Sequence, residues 1–102
     1  MHEDQRRVAA FLDEADLHAP PAYRLLDLTA EVGEVAADAA SSSGDGTDPE
    51  ALSVARDEIG DVLFATLALA EELDVDAEAA LAESLAKYEA RLDADGTAGS
   101  GE

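Results

Sequence analysis

Residues 62–70, Val-Leu-Phe-Ala-Thr-Leu-Ala-Leu-Ala, are nine consecutive uncharged positions in a chain of which 30% is charged. On an α-helix such a stretch turns about two and a half times round the axis, so no side of it carries charge. A helix apolar on all sides has to be covered on all sides. The remaining segments are short and amphipathic, which leaves two ways to bury it: a central helix in a monomeric bundle, or a homodimer or larger assembly around it. The shortage of neighbours favours the assembly.

Those neighbours read as helices too. Val8, Phe11, Leu12 and Ala15 recur at helical spacing and predict a helix over residues 3–15. Pro20 and Pro21 interrupt it. Leu25, Leu28, Val32, Val35 and Ala39 then mark a second helix over 22–41, followed by a loop at 41–47 rich in serine and glycine. Asp48-Pro49-Glu50 has the residues of a helix start, which predicts a third helix from there to about Leu73. Asp76 caps a fourth over 77–92, with Leu81, Leu85, Tyr88 and Leu92 as its stripe. No segment reads as a strand. The chain of 102 residues has room for one core. Residues 1–93 are therefore taken as a single helical domain, and 94–102 as a disordered acidic, glycine-rich tail.

Charge narrows the partners. With 25 acidic and six basic side chains the net charge is -19, which repels nucleic acid and anionic membrane surfaces alike. An acid excess of this size is usual in proteins kept soluble in salty cytoplasm, and points to a halophilic source. No apolar run approaches the roughly 20 residues needed to cross a bilayer, and no basic leader precedes one, so the default expectation is a cytoplasmic protein. There is no cysteine, which removes disulfides and thiolate metal sites.

Two tetrads stand apart from the general acidity. Glu31-Val32-Gly33-Glu34 lies on the second helix and Glu58-Ile59-Gly60-Asp61 on the third, each reading acid, branched aliphatic, glycine, acid. Residues three apart share a helix face, so each pair sets two like charges side by side. A glycine inside a helix costs about 1 kcal/mol against alanine. Both penalties occur twice. A cation offsets the repulsion, and a glycine allows a backbone or ligand to come close. Mg²⁺ suits four carboxylates from two antiparallel helices, because it takes oxygen ligands and keeps places for water and phosphate. The histidines are only His2 and His18, which disfavours zinc. The alternative is a solvated acidic surface. Against it, Asp27, Glu31, Glu34 and Asp38 run beside the apolar stripe rather than opposite it, and Ala65 and Ala68, not charges, follow Glu58 and Asp61. The pairs are placed at the mouth of a helical groove.

Lys87 and Arg91 share a face of the fourth helix and are candidates to bind phosphate, with a surface pair between Glu83 and Lys87 as the bland alternative. Arg24 is expected to pair with local acids. Phe11, Tyr23 and Tyr88 are expected in the core, with base stacking as the minority reading, and His18 is expected to be simply exposed.

The stretch from Tyr23-Arg24-Leu25-Leu26-Asp27 through Glu31-Val32-Gly33-Glu34-Val35-Ala36, followed by Asp57-Glu58-Ile59-Gly60-Asp61-Val62-Leu63-Phe64, resembles MazG-like nucleotide pyrophosphohydrolases over about residues 22–92. Their pattern is Glu-x-x-Glu, a gap, then Glu-x-x-Asp, and here the gap is 23 residues. The resemblance implies an all-α, four-helix up-and-down bundle assembling as a dimer or tetramer. It also implies Mg²⁺-dependent cleavage of nucleoside triphosphates to monophosphate and pyrophosphate, with Mn²⁺ as the other candidate ion. Glu31, Glu34, Glu58 and Asp61 would hold the metal, Glu34 would orient or deprotonate the attacking water, and Lys87 and Arg91 would hold the leaving phosphates. Housecleaning of modified nucleotides is one role open to such an enzyme. Lys87-Tyr88-Glu89-Ala90-Arg91 lacks the asparagine that often follows the lysine in these proteins. Two rival readings remain: a phosphoribosyl-ATP pyrophosphohydrolase, which the glycine tetrads fit less well, and a catalytically silent helical dimerisation module whose acids are salt adaptation.

Overall fold

A computed structural model describes residues 2–95. They form four α-helices, α1 (His2–Glu14), α2 (Pro21–Ser42), α3 (Arg56–Glu72) and α4 (Ala77–Asp95), with a 3-10 turn at Pro49–Ala51 and no strand among the described residues. The fourth helix thus runs past the end expected for it, through Asp95, and the rest of the expected tail lies outside the described residues.

The helix ends follow from local chemistry. Pro21 does not stop a helix but opens α2, at the position where an amide hydrogen has no partner to lose. Asp16 and Asp74, just beyond α1 and α3, take left-handed φ values of 55° and 57°. Each lets the following amide reach back, Leu17 N to the Leu12 carbonyl at 2.9 Å and Val75 N to the Ala70 carbonyl at 2.9 Å, which closes a Schellman-type end. Gly44 does the same for α2, with Asp45 N bonding to the Ala40 carbonyl at 2.8 Å. A side chain at Gly44 would meet Thr47 Oγ1 at 2.9 Å. Asp76 caps α4 through its Oδ1, which accepts from Glu78 N at 3.0 Å and Ala79 N at 3.2 Å.

The third helix starts later than its sequence signals predict. Asp48 makes no side-chain cap, and the turn at Pro49–Ala51 stops at Leu52, whose ψ of 128° is extended. Ser53 N donates to Ser42 Oγ at 2.8 Å, which ties this link to the end of α2. Ala55 is extended as well, and the helix begins at Arg56.

Helices α2 and α3 run antiparallel. Arg24 near the start of α2 meets Glu72 at the end of α3, whereas Asp38 near the end of α2 meets Glu58 in the first turn of α3. Small side chains, Ala65 and Ala68, are fully buried on α3. Against another side of α3 packs α1, through Leu12, Leu67 and an edge-to-face pair of Phe11 and Phe64 with centroids 5.9 Å apart. Gln5, 8% exposed, straps α1 to the turn after α3, donating to Glu71 Oε2 and the Val75 carbonyl and accepting from Ala77 N.

The closed four-helix bundle expected from the resemblance is not completed within one chain, because α4 makes only slight contact with α1 and is not packed along α2 or α3. The Cα radius of gyration, 16.4 Å, exceeds the roughly 13 Å of a compact domain of this length. Nor is α3 covered all round: Ile59 is 56% exposed and Leu63 41%. Tyr23 and Phe11, expected in the core, are both at least half exposed, Phe11 despite its edge-to-face contact with Phe64. Each is an apolar surface for which the single chain provides no cover.

Candidate functional site

The antiparallel pairing of α2 and α3 brings the two acidic tetrads face to face. Glu31 interacts with Glu34 on its own helix and with Asp61 across the interface, and Glu58 interacts with Glu34 and Asp38. The four acids singled out in the sequence therefore converge. Asp38 joins them, and Asp27 lies close enough to act on Glu31. Asp38 belongs to the same acidic stripe of α2 as Glu31 and Glu34, but its place opposite Glu58 depends on the register of α3, which spacing along α2 does not reveal.

The electrostatics are those of carboxylates crowded against one another. The Glu58 carboxyl is pushed up to about 7, chiefly by a hydrogen bond shared with Asp38, then by loss of water and by the charges of Asp38, Asp57 and Glu34. Two carboxylates share a hydrogen bond only when one is protonated. Glu31 is also raised, first by loss of water and then by Glu34. Glu58 Oε2 is buried and has no hydrogen-bond partner. Buried polar atoms are nearly always paired, so an orphan oxygen on a carboxyl that three other carboxylates, Glu34, Asp38 and Asp57, act upon is a candidate place for a donor or a cation from outside. The donors are all hard oxygens, which suits Mg²⁺ or Mn²⁺.

The arrangement is open rather than a closed cage: among the described residues no group of three or more histidine, aspartate or glutamate side chains is gathered tightly enough to hold an ion by itself. Mg²⁺ commonly binds through one or two carboxylates while keeping waters and taking phosphate oxygens, and an open face of this kind suits that habit. The two helix glycines have no close neighbour in the chain. A Cβ built on Gly33 or Gly60 would meet nothing within 4 Å, so neither is needed for a close approach between α2 and α3. On its α1 side Gly60 opens into an apolar groove of about 420 Å³, whose walls include Phe11, Leu63 and Phe64.

The basic residues fall elsewhere. Lys87 and Arg91 flank Tyr88 on α4, 5.2 Å and 5.8 Å from its ring centroid, and α4 is not packed on the helix that carries Glu31 and Glu34. Among the described residues Lys87 makes no ion pair with Glu83, so the bland reading of that lysine is not what forms. Arg24 is 5% exposed and lies 4.0 Å from Asp27, the local acid expected for it, but also 3.8 Å from the distant Glu72. His18 is not simply exposed either: it bridges Asp13 and Glu72.

A family model for the MazG nucleotide pyrophosphohydrolase domain matches residues 21–94. The span starts with the first residue of α2, reaches the last turn of α4, and holds both tetrads. No match was found among curated proteins or among solved structures. With almost three quarters of its length matched, the chain belongs to the MazG nucleotide pyrophosphohydrolase family.

Proposed function

We propose that the protein is a Mg²⁺-dependent nucleoside triphosphate pyrophosphohydrolase, cleaving NTP or dNTP to the monophosphate and pyrophosphate, with Glu31, Glu34, Glu58 and Asp61 as metal ligands. The observation that carries this reading is the convergence of carboxylates from α2 and α3 around the buried Glu58 Oε2, which has no hydrogen-bond partner, with Glu58 raised to about 7. When bound there, Mg²⁺, or Mn²⁺ in its place, supplies positive charge for the triphosphate oxygens and acidifies water. Glu34 orients that water or takes its proton during attack on the α-phosphorus, with pyrophosphate as the leaving group. Asp38 holds Glu58 in place from the next turn of α2.

Lys87 and Arg91 bind the phosphates that leave. They stand on a helix not packed on α2 in one chain, which fits an assembly in which α4 of a second copy lies over the site. Leu81, Leu85 and Leu92 on α4 are 44–51% exposed, and Ile59 and Leu63 of α3 are exposed too, at 56% and 41%. Such apolar surface on two helices supports a homodimer or homotetramer. A cytoplasmic setting at high salt and a housecleaning role complete the reading.

The test is a panel of ribo- and deoxyribonucleoside triphosphates, incubated with Mg²⁺ in high salt and scored for monophosphate and pyrophosphate. Turnover that disappears with chelator and in Glu58→Ala is expected. A protein that turns over none of them, and shows no saturable Mg²⁺ binding by calorimetry, is a silent helical module instead.

A further inference from the structure

Away from the acidic face, His18 lies in the link between α1 and α2 with both ring nitrogens engaged. Nε2 is 2.5 Å from Asp13 Oδ1 near the end of α1, and Nδ1 is 2.9 Å from Glu72 Oε1 in the last turn of α3. Glu72, its side chain 10% exposed, also accepts from Ala19 N through Oε2 and faces Arg24 Nε at 3.8 Å. Arg24 donates through Nη2 to the Leu17 carbonyl. The 17–20 link is thus held to the end of α3 by one nearly buried carboxylate and one imidazole. Asp13 approaches His18 from α1 and Glu72 from α3, while Arg24 and Asp27 are the charges that α2 brings to this end of the interface.

A neutral imidazole has one N–H and one lone pair. It can donate to Asp13 or to Glu72, and whichever carboxylate is left then faces a lone pair. Only the imidazolium satisfies both. We propose that His18 is a protonation-controlled clasp, which ties the 17–20 link to α1 and to the end of α3 at once when the ring is charged and gives up one of these two ties, loosening the link, when the ring is neutral. Its environment favours the charged form: the hydrogen bond to Asp13, then that to Glu72, raises the ring above the ordinary 6.5 against a smaller opposing effect of lost water. A histidine raised on folding gives stability that is complete below pH 6.5 and is lost as pH climbs through the folded value.

The proposal does not depend on the metal reading, and its test uses the metal-free full chain. The ring protons of His18 are followed by NMR from about pH 6 to about pH 9, together with the amides of Leu17, Ala19 and, as a core reference, Leu67. The expected result is titration of the ring above 6.5, with the Leu17 and Ala19 amides shifting and gaining hydrogen exchange in step with it while Leu67 does not. His18→Gln should lack the part of the fall in Tm that wild type shows over this range. A ring that titrates at or below 6.5, or link amides indifferent to its charge, overturns the proposal. The wild-type spectra decide the matter even if His18→Gln folds poorly.

Discussion

Carboxylates lie at both ends of the α2–α3 interface, and the two ends treat them in opposite ways. At the far end of α3, Glu72 receives Ala19 N, His18 and the nearby Arg24, and its carboxyl is held below the ordinary range, first by the Ala19 amide. At the start of α3, the groups that act on Glu58 are the acids Asp38, Asp57 and Glu34, and it is raised to about 7. It rises even though the first turn of a helix favours negative charge. Residue type and helix pair are shared; the difference is the supply of donors. Where the fold brings donors, the acid is a structural pin. Where it brings more acids, the repulsion stays uncompensated within the chain, and this separates a candidate site from ordinary acidic surface in a chain whose net charge is -19.

The sharpest way to break this contrast is to remove one acid from each end. Glu58→Ala should lower kcat/KM for its best nucleotide by more than about 100-fold, beyond the 10- to 100-fold typical of residues that only orient a metal ligand. Its helical circular dichroism should stay close to wild type. Glu72→Ala should do the reverse: the nearly buried Arg24 guanidinium loses one of its two carboxylate neighbours, Ala19 N and His18 lose an acceptor, and the protein should melt earlier while the carboxylate face is untouched. An active Glu58→Ala, or a Glu72→Ala as stable as wild type, removes the distinction between the two ends.

Neutral isosteres give a smaller and signed version of the same test. In metal-free protein Asp38→Asn takes one charge out of a repelling group and adds an N–H donor for Glu58, so Tm should hold or rise. Glu72→Gln keeps an acceptor for Ala19 N but cannot hold two cationic neighbours, so Tm should fall. The two melting temperatures should differ by about 5 °C or more, measured by thermal circular dichroism.

Acidity supplies a third measurement. Because folding raises Glu58 from 4.5 to about 7, the native state holds its proton more tightly than the unfolded chain. The contribution of this residue is therefore present below about pH 4.5 and lost as pH rises to about 7. Metal-free protein should lose Tm across that window, and Glu58→Gln should flatten the slope. Mg²⁺ competes with the proton for the same oxygens, so its stabilising effect should grow over the same range, and calorimetry in two buffers should register proton release. A Mg²⁺ effect independent of pH would place the ion elsewhere.

How much of this was legible beforehand depends on the range of the interaction. That Glu31, Glu34, Glu58 and Asp61 lie on one side of the α2–α3 pair was readable because helical period fixes a face on each helix and helices consecutive in the chain commonly pack antiparallel. Asp38 was visible as part of the stripe, but its pairing with Glu58 needs the register of α3, which the non-helical link 52–55, extended at Leu52 and Ala55, sets. That break was hidden by Asp48-Pro49-Glu50, a good start signal that yields one 3-10 turn because Ser42 captures the backbone of Ser53. His18 and Arg24 were read from near neighbours. Glu72, more than 45 residues away in the chain from either, turns both into tertiary contacts, and no periodicity announces that.

The least effect is expected at the glycines, and it bears on what covers the uncompensated end. Within the chain a methyl group at Gly33 or Gly60 touches nothing, so Gly33→Ala and Gly60→Ala should each stabilise metal-free protein by roughly 0.5–1 kcal/mol through backbone entropy alone. If the glycines served the α2–α3 packing, the added methyl would clash and cost stability instead. The structure gives them no such packing duty. Space over Gly60, beside the apolar groove and one residue from Asp61, is then space for something from outside the chain, whether nucleotide or a second copy. Gly60→Ala should accordingly raise Tm while raising KM or weakening self-association, and sedimentation alongside initial-rate kinetics separates the two. A variant that is more stable and unchanged in both would leave Gly60 with no duty at the site.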